Sequence, residues 1–156
     1  KRQIMNAVVS EKAVEYSIAV KESNKTFDRA QIKSSADSVD YLRPLFGEEV
    51  EIFESFIILL LNRACKVVGW SRISSGGRAA TVVDVAMIAK LAVDSLASAV
   101  ILAHNHPSGN RLPSLQDETL TKKIKEALAL FEVRTLDHVV ITPDNGYYSF
   151  ADEGRI

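Results

Sequence analysis

The sequence predicts an α/β protein in which a mixed β-sheet is flanked by helices, and three observations carry that prediction. Phe56 to Leu61 is a continuous apolar run too short for a typical helix, and Ala99 to His104 reads the same way. Segments opening at Asp84 and Ser114 instead repeat apolar residues at helical spacing. The resulting order, strands then helix, strand, helix and strands, fits a sheet covered by helices.

The elements follow in chain order. Val14, Tyr16, Ile18 and Val20 alternate with Glu15, Ser17 and Ala19, so residues from about Met5 to Val20 are expected to form strands at a sheet edge or in a hairpin. Ser34 and Ser35, followed by Asp37 and the apolar Val39, Leu42 and Phe46, predict a short capped helix ended by Pro44 and Gly47. After the strand Phe56 to Leu61, Asn62 to Cys65 is a turn into a second strand, Lys66 to Ser74, and Gly76-Gly77 breaks the pattern. Asp84 begins a helix through Val85, Ile88, Leu91, Ala92 and Leu96. Ala99 to His104 then runs into a His-Pro-Ser-Gly-Asn loop. Ser114 opens the longest amphipathic segment, carrying Leu120, Ile124, Leu128 and Phe131 to the helix end. Strands at about Val133 to Ile141 and Tyr147 to Phe150, joined by Pro143-Asp144-Asn145-Gly146, close the chain.

Composition limits the functions this chain can have. With 156 residues, 47% hydrophobic and 25% charged, it reads as a single domain over 1–156, an N-terminal strand extension at 1–33 preceding a core at 34–156. Nineteen basic residues against 20 acidic ones give a net charge of -1, which argues against binding nucleic acid mainly through phosphate neutralisation. Asp84, Lys90 and Asp94 interrupt the most apolar stretch, and no signal-peptide core opens the chain; the expectation is a cytoplasmic protein without a membrane span. A single cysteine, Cys65, excludes an internal disulfide and a Cys-rich zinc site.

Chemistry concentrates where the strand ending at His104 meets its loop. His104 and His106 stand two apart, and residues two apart on a strand share a face, so both imidazoles can converge on one ion. A catalytic zinc takes three protein ligands and leaves the fourth position to water. The nearest suitable carboxylate downstream is Asp117, in the first turn of the helix opened by Ser114; Pro107, Gly109 and Pro113 let the loop turn back between them. Ser114-Leu115-Gln116-Asp117 also matches a helix capping box, and the two roles are compatible. His138 reads as a satisfied structural histidine, and Cys65 as incidental. Trp70, Tyr147 and Tyr148 read as packing residues, since no basic run accompanies them to form a base-stacking platform.

The whole pattern, His104-x-His106, seven residues, Ser114-x-x-Asp117, resembles the JAMM motif of MPN-type zinc hydrolases. Ala103-His104-Asn105-His106-Pro107-Ser108-Gly109 and Pro113-Ser114 resemble the RadC family more specifically, as do Glu54-Ser55-Phe56, Ser74-Ser75-Gly76-Gly77 and Leu136-Asp137-His138. The resemblance, from about Ser34 to the C-terminus, implies a cytidine-deaminase-like or MPN-type architecture. It implies zinc held by His104, His106 and Asp117, with Glu54 as the catalytic glutamate and Ser114 helping to stabilise an oxyanion. Charge and position alone do not separate Glu54 from Glu48, Glu49 or Glu51; the resemblance selects it. RadC-like chains often carry an N-terminal helix-hairpin-helix region. None is seen here, where the first 46 residues contain no glycine.

Those residue types support zinc-dependent hydrolysis of a peptide, isopeptide or other amide substrate. An alternative, carried by the family association, is a non-enzymatic or accessory module in DNA repair or recombination. A metal-dependent nuclease ranks lower, since three ligands with one open position suit a single zinc better than a two-metal clamp.

Overall fold

The structure is a computed structural model that describes residues 29–77 and 83–156. The strands expected between Met5 and Val20 lie outside the described residues. Among the described residues nine elements follow one another: α1 (Ser35–Phe46), a 3-10 turn (Gly47–Glu51), β1 (Glu54–Leu61), β2 (Val67–Gly77), α2 (Val85–Asp94), β3 (Ala99–Asn105), α3 (Leu115–Ala129), β4 (Arg134–Ile141) and β5 (Tyr147–Ser149). Among the described residues the strands form one mixed sheet in the order β2-β1-β3-β4-β5. β1 pairs antiparallel with both β2 and β3, β3 pairs parallel with β4, and β5 returns antiparallel on β4. A parallel pair needs a long crossover, and α3 supplies it. Upstream of α1, Gln31 bridges Lys66 in antiparallel sense.

The central strands are buried on both faces, which explains their unbroken apolar runs. Alternation sorts their side chains into two cores. Ile57, Leu59, Leu61, Ile101, Ala103, Val139 and Ile141 face α1 with its Val39, Leu42 and Phe46. Phe56, Ile58, Leu60, Val100 and Leu102 face α2 and α3, meeting Ile88, Ala92, Ile124 and Leu128. The expected sheet with helical cover is thus observed, with α1 on one side and α2 and α3 on the other. Trp70 and Tyr147 pack against the α1-side core, as their packing role requires.

Four boundaries differ from the sequence expectation. α1 runs through Pro44 to Phe46 and stops only at Gly47, whose φ of 64° with a ψ of -158° is a combination essentially reserved for glycine. β2 continues through Gly76-Gly77 instead of breaking there. α2 ends at Asp94, leaving Leu96 74% exposed, and α3 ends at Ala129, leaving Phe131 54% exposed beyond it. Both of these helices stop in the same hydrogen-bonded geometry. Ala97 N–H donates to the Ala92 carbonyl and Leu96 N–H to that of Val93; Val133 N–H donates to Leu128 and Glu132 N–H to Ala129. These are Schellman endings, and the left-handed residues in them are Leu96 (φ 53°) and Glu132 (φ 58°) in place of the usual glycine. Among the described residues no helix is long and apolar enough to cross a membrane.

Candidate metal centre

Sheet alternation and register deliver the site. On β3, Val100, Leu102 and His104 share the face toward α3, and His104 pairs with Phe56 on β1. Glu54 lies two residues before Phe56 and one turn of pleat nearer the sheet end, so it emerges on the same side. α3 starts at that end with Ser114 as N-cap. The Ser114 hydroxyl accepts from Asp117 N–H, and the Asp117 carboxylate accepts from Ser114 N–H at 2.7 Å, a complete capping box. Asp117 is thereby fixed in the first turn with its second oxygen turned inward.

Three donor groups converge there. His104 Nε2 and His106 Nε2 are 2.9 Å apart, His104 Nε2 is 3.4 Å from Asp117 Oδ1, and His106 Nε2 is 3.7 Å from Asp117 Oδ2. One ligand atom from each residue lies within 4.8 Å of the others, so the group could hold a metal ion. Glu54 Oε1 stands 3.8 Å from His106 Nε2. Glu48 and Glu51 are exposed on the 3-10 turn, so of these three glutamates Glu54 is the one brought to the imidazoles. Glu54, His106, Asn110 and Ser114 line a groove of about 350 Å³ that opens beside the donors.

Electrostatics tie the donors together. Burial alone would raise the Asp117 carboxyl, but the adjacent His104 and His106 imidazoles, together with the bond from the Ser114 hydroxyl, outweigh it and hold it far below the usual carboxylate range. Burial would likewise lower His106, yet Asp117, the Asn110 carbonyl and Glu54 together raise it. The site thus attracts positive charge, which a proton or a metal ion can supply.

Ser114 donates its hydroxyl proton to Asp117 Oδ2 at 2.6 Å. To serve a developing oxyanion, that hydroxyl has to rotate away from the carboxylate.

Three residues that sequence reasoning did not place at the site are built into it. His138 is satisfied, as expected, but by the site itself. It is fully buried, with Nε2 2.8 Å from His104 Nδ1 and Nδ1 2.6 Å from Thr121 Oγ1, and burial first and the neighbouring His104 second push its pKa well down. Thr121 lies four residues after Asp117, on the same helix face. Asn105 points to the opposite side of β3, accepting from Ser55 N–H and donating to the carbonyls of Val50 and Phe53. It clamps the segment that delivers Glu54. The signals were present: Thr121 is a polar residue one helical turn after Asp117, and Asn105 is a polar residue on an apolar strand.

Fold and site together define a mixed α/β domain of MPN/JAB type with a two-histidine, one-aspartate candidate metal centre. The family model for the RadC-like JAB domain matches residues 32–155. A UPF0758 protein of Flavobacterium johnsoniae is 44% identical over 124 residues, covering 80% of this chain and 53% of that protein. A UPF0758 protein of Porphyromonas gingivalis is 48% identical over 103 residues, covering 66% and 45%. The chain spans about half the length of these relatives. It belongs to the RadC-like JAB domain family, a branch of the JAMM/MPN superfamily.

Proposed function

We propose that this chain is a zinc-dependent hydrolase acting on an amide bond, in a peptide or isopeptide. The observation that carries the reading is the donor triangle with a glutamate beside it at the mouth of a groove. Ligands at about 2.0–2.1 Å around a tetrahedral zinc stand about 3.3–3.4 Å from one another. The separations of 2.9, 3.4 and 3.7 Å bracket that spacing, and two imidazoles with one carboxylate are a donor set suited to zinc.

His104, His106 and Asp117 would hold the ion and leave one position facing the groove. Zinc supplies a Lewis acid that makes water more acidic and polarises a carbonyl. Glu54 borders the donors closely enough to take a proton from a water in the groove and return it to a leaving amine. Ser114, rotated off Asp117, would donate to the oxyanion, a contribution of about 3 kcal/mol where such donors have been removed from other enzymes.

Zinc content and product formation test the two halves separately. Protein purified without added metal is expected to carry zinc near one equivalent, lost in His104→Ala and in Asp117→Ala. Unchanged zinc in both variants sinks the metal assignment. Against fluorogenic peptides and lysine-linked isopeptides, Glu54→Gln should retain zinc and lose product. No product from the wild type with any such substrate refutes the hydrolase reading and leaves a metal site.

A further inference from the structure

We infer that Thr121 and His138 are positioning residues whose hydrogen-bond chain fixes which nitrogen of His104 is left bare toward the metal position. The inference rests on the metal reading above and extends it to residues outside the donor set.

The direction of every proton in the chain follows from its end. Thr121 Oγ1 lies 2.6 Å from the backbone carbonyl of Asp117, and a carbonyl can only accept, so the hydroxyl spends its single proton there. The hydroxyl oxygen must then accept from its other neighbour, His138 Nδ1, at 2.6 Å. A neutral imidazole carries one proton, so His138 Nε2 is bare. It faces His104 Nδ1 at 2.8 Å, and two bare nitrogens do not hydrogen-bond, so the proton sits on His104 Nδ1. Neutral His104 therefore presents a bare Nε2 to the donor triangle. His106 reaches the same state by a shorter route, its Nδ1–H donating to the Asn110 carbonyl at 2.7 Å, so on the neutral rings the two Nε2 atoms, 2.9 Å apart, face each other bare and call for a cation, a proton or a metal ion, between them.

Asp117 stands at both ends of this chain: its carbonyl anchors the threonine and its carboxylate faces the two imidazoles. The rings cannot readily turn to escape the assignment. Phe56 stacks on His104 with 7° between planes, Phe150 stacks on His138 with 11°, and both Thr121 and His138 are buried. Reversing the chain would take the hydroxyl off Asp117 and put the proton of His104 on Nε2, where a cation has to bind. Partners that set a ligand's tautomer in this way typically change metal affinity about 10–100-fold when removed.

The test reads protons directly as well as metal. Long-range proton–nitrogen correlation spectra of the metal-free full chain, taken above the imidazole titration range, should show His138 and His104 both protonated on Nδ1. Thr121→Ser should keep that pattern and wild-type zinc affinity in competition with a chromophoric chelator. Thr121→Val, nearly the same shape without the hydroxyl, should shift His138 toward Nε2–H and weaken zinc about 10–100-fold. His138 protonated on Nε2 in the wild type overturns the inference whether or not any variant folds, and so does a folded Thr121→Val that binds zinc as tightly as the wild type. A wild type with the assigned tautomers that binds no zinc refutes the metal reading while the proton chain stands.

Discussion

Replacing Asn105 with alanine removes the clamp between β3 and the segment carrying Glu54 without touching a metal donor. Asn105 is fully buried, and its amide accepts from Ser55 N–H at 2.8 Å and donates to the Val50 and Phe53 carbonyls, each at 2.8 Å. A typical internal hydrogen bond contributes about 1 kcal/mol net, and a buried group left without a partner costs about 1–3 kcal/mol. The Ser55 bond is buried and carries the larger penalty; the two carbonyl bonds are partly buried, where water can substitute. The expected loss is about 3 kcal/mol, which for a chain of this length lowers the thermal midpoint by about 6–12 °C. Asn105→Asp adds a control of nearly equal shape. It keeps the acceptor for Ser55 but turns a carboxylate oxygen on two carbonyls, and should cost at least as much as alanine. Calorimetry and urea titration of both variants measure these losses. An alanine variant within about 0.5 kcal/mol of the wild type, or an aspartate variant milder than alanine, refutes the clamp.

Four further outcomes follow from the same structure. Leu96→Gly should stabilise the fold by about 1 kcal/mol, because the exposed leucine sits at φ 53° in a Schellman ending where glycine has no side-chain penalty; a lower urea midpoint contradicts this. Leu128→Ala should cost about 2–5 kcal/mol by opening a cavity under α3, yet keep zinc stoichiometry well below its midpoint, since the donors are untouched. Gly146→Ala places a methyl group against the Arg111 guanidinium. Because Arg111 and its partner Asp144 are exposed, the pair should simply part at a cost below about 1 kcal/mol, read by thermal denaturation. Finally, zinc at the proposed site would take the unprotonated imidazoles, and His106 is raised, so its proton competes from a higher pH than an ordinary histidine's. Chelator competition should show affinity falling by at least about tenfold from pH 7.5 to 5. Asp117, held well below the carboxylate range, adds no step of its own in that interval.

How far the site was legible depends on whether each contact is local. His104 and His106 share a face by strand alternation, and Asp117 is placed by a capping box that spans four residues, so all three could be read from spacing. The same alternation that turns His104 toward α3 turns Asn105 away from it, toward Val50 and Phe53, a consequence available from the sequence but visible only once that face has a partner. His138 is different. Its approach to His104 depends on β4 lying parallel to β3, with Leu102 opposite His138, and a pairing between strands separated by a helix leaves no local signature.

Helix ends failed for a complementary reason. The expected stop signal was glycine, and α1 obeyed it at Gly47, but α2 and α3 stop at Leu96 and Glu132, whose side chains announce nothing about a left-handed backbone. What fixes these ends is the following residue. Ala97 and Val133 are both buried, each donating its N–H five residues back into the last helical turn, so burying the exit apolar residue compensates for the strained one before it. The strain therefore sits at the pole opposite the donors, where β3 and β4 begin. At the end that carries the donors, hydrogen bonds do the equivalent work: the capping box holds the Asp117 side chain, the threonine–histidine chain holds the His104 ring, and the Asn105 clamp holds the backbone segment that delivers Glu54.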